Sequence, residues 1–297
     1  MKKTTYATLA ALCAQIIFGF SFMFTKIAQS DASPMTVIAN RYMVALAGML
    51  AALFVTKSKI KINKNIWKLA LMSLFQPVLY FIFESYGIKL TTSAFSSVMI
   101  SLIPIISMIS GIFILKEIPS PLQYVFTALS VCGVAIMTYS GTVDGTVTLP
   151  GVALLFGAVI SSVGYNIASR KLSEEFTVVE RTFSMTVIGT ITFVVIALIE
   201  NINSPFSIIS SFTDMSYTVS ILYLGVISSV AAFFMLNYAN TYLPVAKTTV
   251  FSNFTTVVSV IAGAIFLDEK ITVVSATSSV MIIAGVWAVQ ILDVRKK

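Results

Sequence analysis

The sequence contains no histidine among its 297 residues. That removes the commonest metal ligand and the usual general base near neutral pH. It also rules out HExxH and any Ser/His or Cys/His pair. There is no GxxxxGK[ST] phosphate loop, so the chain carries no ATP-driven pump of that type. Charge is scarce as well. Charged residues make up 10% of the chain and apolar residues 57%, with a mean hydropathy of +0.95. Soluble domains carry roughly 25% charged residues, and a surface cannot be kept in water with so little. Cys13 and Cys132 are the only cysteines. They lie far apart in apolar runs and read as small buried hydrophobes without a disulfide.

What is present is a series of long apolar runs. Ten segments stand out, near 8–27, 37–56, 66–88, 92–114, 122–140, 151–169, 182–199, 217–237, 246–267 and 273–292. Each approaches the ~20 residues that cross ~30 Å of hydrocarbon as a helix. They are too long for the ~10-residue alternating strands of a membrane barrel. The first run follows Lys2 and Lys3 as a signal peptide would, but is expected to stay as the first helix. Pro34, Pro121 and Pro150 stand at helix mouths. The segment 200–216 is the longest outer joint, and its SPFSIISSF is expected to hold a short interfacial helix.

The charges orient these crossings. With the N-terminus inside, Lys2, Lys3, Lys57, Lys59, Lys61, Lys64, Lys68, Lys116, Arg170, Lys171, Arg181, Lys247, Arg295, Lys296 and Lys297 fall on the cytoplasmic side. Lys26, Arg41, Lys89 and Lys270 remain, so 19 − 4 = 15 of the basic residues lie inside. This positive-inside bias puts both termini in the cytoplasm, and the net charge of +7 reports topology rather than nucleic-acid binding.

The chain also repeats itself. Tyr86–Glu117 returns at Tyr238–Glu269 without a gap, pairing Tyr86 with Tyr238, Ala94 with Ala246, Gly111 with Gly263, Leu115 with Leu267 and Glu117 with Glu269. Gly133-Val134 falls on Gly285-Val286 in the same register, and Pro34–Arg41 matches Glu175–Arg181 more loosely. Each unit has five helices. Five is odd, so the second copy enters the membrane from the opposite face, as inverted-repeat carriers do. The expected fold is an all-α polytopic membrane protein of ten transmembrane helices in two inverted five-helix repeats, residues 1–145 and 146–297.

Ionisable groups at membrane depth are costly and mark function. Glu84 continues a polar stripe with Gln76 and Tyr80, four residues apart on one helix face. Pro77 beside it frees a backbone carbonyl and kinks the helix. Lys26 and Arg41, in the outer halves of the first two helices, are candidate gating or charge partners of Glu84. Snorkelling to headgroups or interhelical pairing would explain all three equally. Ser97, Tyr165, Asn166, Asn253 and Thr256 complete a candidate cavity lining, with Pro104 a second kink. Glycines at positions 111, 133, 263 and 285 read as tight helix contacts. Lys116-Glu117 and Asp268-Glu269-Lys270 read as turn anchors. No metal site or cofactor is expected.

With Phe18-Gly19 and Lys26, Arg41, Tyr86 through Ala94, Pro104, Leu115-Lys116-Glu117 and Gly133, and their second copies at Arg181, Ala246, Gly263, Leu267-Asp268-Glu269 and Gly285, the sequence resembles the drug/metabolite transporter superfamily, in its EamA-type ten-helix branch. The resemblance implies a central cavity lined by helices 1, 3, 4, 6, 8 and 9. It leaves helices 5 and 10 peripheral and available for homodimer contact. It implies a secondary transporter in the cytoplasmic membrane, exporting amino acids or related small polar metabolites by alternating access. Uptake or efflux of cationic or drug-like, amphipathic compounds is the alternative within the fold. An intramembrane enzyme and a non-transporting sensor are the alternatives outside it. Thr256 stands where the first copy has Pro104, and Glu84 replaces a usually apolar residue, which suggests a cationic or zwitterionic substrate or proton coupling.

Overall fold

The computed structural model describes residues 2–58, 60, 65–90, 99–139, 148–266, 272–292 and 295–296. Ser97, the loop around Asp144 and the Asp268-Glu269-Lys270 turn lie outside the described residues.

The helices follow the apolar runs: α1 (Lys2–Ala28), α2 (Pro34–Thr56), α3 in three pieces (Ile66–Ser73, Leu74–Leu79, Tyr80–Lys89), α4 (Ile103–Ile114) and α5 (Pro121–Tyr139). Then come α6 (Leu149–Leu172), α7 (Val178–Glu200), α8 in three pieces (Met215–Leu222, Tyr223–Ala232, Phe233–Tyr242), α9 (Ser252–Phe266) and α10 (Val273–Ile291). Among the described residues, 6 helices are long and apolar enough to cross a membrane: α1, α2, Ile66–Ile88 of α3, α6, α7 and Met215–Tyr242 of α8. Ile103–Ile114, Pro121–Ile136 and Ala276–Ile291 are shorter apolar helices. The chain is therefore a multi-spanning helical membrane protein, with six clear spans against the ten expected. Of the run at 92–114, residues 91–98 lie outside the described part, Met99 and Ile100 are helical, and a turn at Ser101 and Leu102 separates them from Ile103–Ile114.

Local chemistry sets the helix ends. Ser33 Oγ accepts from Thr36 N at the start of α2, and Pro34 supplies the first turn, where a missing N–H costs nothing. Thr177 and Glu180 form a reciprocal capping box at α7, and Asp214 Oδ1 accepts from Tyr217 N at 2.8 Å to open α8. Between α7 and α8, Ser207–Ser210 and Ser211–Thr213 form the short helical turns expected there. One feature departs from all-α: a two-residue antiparallel ladder, β1 (Glu117–Ile118) with β2 (Arg295–Lys296).

Side chains are sorted inside out. Large apolar groups such as Phe54, Phe113, Phe206 and Trp287 are exposed, while Asn40, Ser73, Arg181, Asn237 and Asn240 are fully buried. A bilayer dictates this sorting, since lipid covers apolar surface and polar groups must find partners inside. Cys13 and Cys132 correct the reading made from sequence. Both are free but exposed, on the outward faces of α1 and α5. Apolar sequence lies on both sides of such helices, so composition did not say which face looks inward.

The principal helix seams are α5 with α10, α2 with α7, α3 with α6, α1 with α8, α1 with α9, α4 with α6, α2 with α8, and α3 with α7. At the α5–α10 seam, a Cβ on Gly285 would lie 2.6 Å from Phe126 O, and one on Gly133 2.9 Å from Ile282 Cγ1. Small residues there let the backbones approach, as expected from their repeat-related positions.

Candidate functional site

The site is built on the break in α3. Gln76 has extended backbone torsions (φ −146°, ψ 120°) inside the helix, and Pro77 follows it. Proline cannot donate to the preceding turn and opens the ladder there. Beyond the break, Tyr80 and Glu84 lie one turn apart, and Tyr80 OH donates to Glu84 Oε1 at 2.8 Å. Both side chains are half-buried. Gln76 is 9% exposed, and its amide makes no hydrogen bond among the described residues. Of the stripe read from the sequence, Tyr80 and Glu84 are joined directly, while the break at Gln76 interrupts the helical register between Gln76 and Tyr80.

Arg41 of α2 faces this stripe. Its guanidinium carbon stands 5.0 Å from the Phe81 ring centroid, a cation over an aromatic face. Its Nε donates to Ser229 Oγ at 2.6 Å and its Nη2 to Ser228 Oγ at 3.0 Å, both on α8. Ser21 of α1 lies 2.8 Å from the same Ser228 hydroxyl. Four helices, α1, α2, α3 and α8, therefore converge on one charged cluster. Asn40, next to Arg41, is fully buried and donates to Ile208 O at 2.7 Å and to Tyr217 OH at 2.6 Å, which ties α2 to the joint between α7 and α8 and to the first turn of α8. Lys26 lies exposed in the last turn of α1.

The other expected lining residues lie elsewhere. Tyr165 is fully buried against Phe233 and donates to Asn237 Oδ1 at 3.1 Å. Asn166 Oδ1 accepts from Asn240 Nδ2 at 3.3 Å, and Asn166 Nδ2 donates back to Ser162 O. Both residues belong to the α6–α8 seam. Asn253 Nδ2 donates to Ser130 Oγ of α5 at 3.1 Å and the residue is 1% exposed. Thr256 is half-buried on α9. Pro104 stands in the first turn of α4, where it starts the described helix.

Two clusters were not anticipated from the sequence. Arg181 of α7 is fully buried, donating through Nη1 to Ser169 O at 2.7 Å and through Nη2 to Asn237 O at 3.1 Å, with Thr241 Oγ1 as a further acceptor. Asn237 is the hub, since its Nδ2 also donates to Thr182 Oγ1 at 3.1 Å. The signal available in the sequence was an asparagine at the end of the 217–237 apolar run. The second cluster lies at the ends of α4, α6 and α8. Glu117 is 3% exposed. Its Oε1 accepts from Arg170 Nε at 3.0 Å and its Oε2 from Val245 N at 2.7 Å. Arg170 Nη1 also donates to Thr241 O at 2.6 Å. Expected to be a turn anchor, Glu117 joins α4 to α6, α8 and the start of the Val245–Thr249 turn.

A bundle of apolar helices around buried charge and broken helices defines a membrane carrier architecture. The EamA-like transporter family matches twice, over residues 5–139 and 149–290, and the chain belongs to that family. The "Uncharacterized transporter YcxC" of Bacillus subtilis (strain 168) is 32% identical over 288 residues, covering 96% of this chain and 92% of that one. An "Uncharacterized transporter" of Archaeoglobus fulgidus is 24% identical over 272 residues, covering 92% and 94%. A solved crystal structure superposes with a TM-score of 0.81 at 18% identity, covering 95% of this chain and 97% of that chain. That similarity speaks for the fold alone. The chain is a multi-pass, transporter-family protein of the cytoplasmic membrane.

Proposed function

We propose that the protein is a secondary transporter that exports amino acids or related small polar metabolites by alternating access. Residues 1–145 and 146–297 form two five-helix units of opposite orientation, with ten crossings and both termini cytoplasmic. Two observations support this arrangement. The family matches once in each half. The principal seams also exchange when helices 1–5 are swapped with 6–10: α3–α6 becomes α1–α8, α4–α6 becomes α1–α9, and α3–α7 becomes α2–α8, while α5–α10 and α2–α7 map onto themselves. The peripheral α5–α10 pair is the face for a homodimer.

The observation that carries the transport reading is the half-buried Tyr80–Glu84 pair beside the break in α3, facing Arg41. A carboxylate is retained at membrane depth only where it has work or a partner. Gln76, Tyr80 and Glu84 are the substrate-contacting stripe, and Tyr165, Asn166 and Asn253 hold the helices that frame it. The Glu84 carboxylate, the one half-buried acidic group among the described residues, also favours a second reading, movement of cationic compounds by the same fold. In proteoliposomes, Glu84→Gln is expected to lower flux and flatten its pH dependence. Unchanged flux with an unchanged pH profile would remove Glu84 from the pathway.

A further inference from the structure

We infer that Arg41 and Glu84 are the two poles of one binding site, and that the solute it takes is a zwitterion held by its carboxylate at Arg41 and its ammonium group at Glu84. This deepens the carrier reading and rests on it.

The argument starts from uncommitted atoms. Arg41 uses Nε and Nη2 on the α8 serines. Its Nη1 makes no hydrogen bond among the described residues. Glu84 Oε1 takes the Tyr80 hydroxyl, and Oε2 takes nothing. Neither Nη1 nor Oε2 is wholly sealed by protein. The Gln76 amide on the same stripe is likewise unbonded without being sealed. Arg41 stands 5.0 Å over the ring of Phe81, which lies three residues before Glu84 on the same helix, yet among the described residues Arg41 and Glu84 form no ion pair with each other.

Opposite charges held this close in a low-dielectric surround normally join directly, because each otherwise keeps its desolvation cost. Here both are fixed short of contact. The Arg41 fork is anchored by two serines and by Phe81 beneath it, and the Glu84 carboxylate is turned by Tyr80. A cation and an anion fixed apart, each with one free edge, match a solute with the complementary dipole. A simple cation would meet Arg41 repulsion, and a simple anion would meet Glu84 repulsion. Discrimination by such repulsion is as effective as added attraction. Arginine suits the carboxylate pole because its planar fork keeps one N–H edge directed outward while the rest is held.

The test is binding to the purified full-length protein in nanodiscs, read by calorimetry. The probes are alanine, leucine and phenylalanine, each beside its primary amide and its 2-oxo acid. At least one amino acid should bind, and both singly charged counterparts should bind at least about tenfold more weakly, as expected for loss of one charge-assisted contact. Arg41→Gln should erase the preference over the amide, and Arg41→Lys should keep part of it. Glu84→Gln should erase the preference over the 2-oxo acid. Should Arg41→Gln fail to fold, the ligand series on the unaltered protein still decides. Equal binding of the amide, equal binding of the 2-oxo acid, or binding of none of the three amino acids overturns the inference. Glu84-dependent flux of a singly charged solute would do the same, while leaving the carrier reading in place.

Discussion

Glu117→Gln is the most informative single change in the Glu117–Arg170 cluster. The carboxylate takes Arg170 on one oxygen and the Val245 amide on the other, and both side chains of the pair are mostly enclosed, 16% and 4% exposed. Glutamine keeps one acceptor oxygen and turns an N–H donor toward the second donor. One charge-assisted hydrogen bond is lost, about 1.5–3 kcal/mol. Arg170 loses its counter-charge but keeps Thr241 O and Asn240 O as acceptors. The cost should therefore fall below the ~3–5 kcal/mol of breaking a fully buried pair, at about 2–3 kcal/mol. The assay is a double-mutant cycle of Glu117→Gln and Arg170→Gln, read by reversible unfolding in mixed micelles. The two changes should couple, so that the double variant is less destabilised than the sum by about 1.5 kcal/mol or more. Coupling below about 0.5 kcal/mol, the level of an exposed pair, would refute the reasoning.

Gly285→Ala places a carbon 2.6 Å from Phe126 O, and backbone cannot step aside, so the α5–α10 seam must part. A loss of about 1–3 kcal/mol in the same unfolding assay is expected, whereas Gly111→Ala, whose Cβ meets Val245 Cγ1 at 3.4 Å, should be nearly silent. Equal effects at the two sites would contradict this. In the loop between α6 and α7, hydrogen bonds from Lys68 at 2.8 Å and from Asn65 hold the Glu175 carboxyl below its ordinary pKa. A depressed folded pKa gives stabilisation that is present above the unfolded value and lost as pH falls through the folded one. Lys68→Ala should raise the Glu175 titration, read by carbon NMR, toward the usual carboxylate range, and an unmoved titration would show the contact absent in solution.

Much of this was legible from residue order. The helix starts at Pro34, Pro121 and Pro150 were visible because proline fits only the first turn. The Tyr80–Glu84 pair followed from spacing alone, since residues four apart share a helix face. Gly133 and Gly285 were readable as close contacts because they recur in register. The directions of Tyr165 and Asn166 were not legible. A helix apolar all round gives no periodicity to separate its protein face from its lipid face, and the same ambiguity misplaced Cys13 and Cys132. The partners of Glu117 and Arg181 lie far along the chain. Such contacts are set by the assembled bundle, and no local pattern announces them.

The opposed orientation of the two halves is tested most directly by single-cysteine accessibility in intact cells, on a background lacking Cys13 and Cys132. Ser33→Cys lies in the joint before α2, Ser173→Cys between α6 and α7, and Ser204→Cys between α7 and α8. A membrane-impermeant maleimide should label Ser33→Cys and Ser204→Cys from outside, and Ser173→Cys only after permeabilisation. That pattern puts the α1–α2 joint of the first half outside and the matching α6–α7 joint of the second half inside. Labelling of Ser33→Cys and Ser173→Cys from the same face would contradict it.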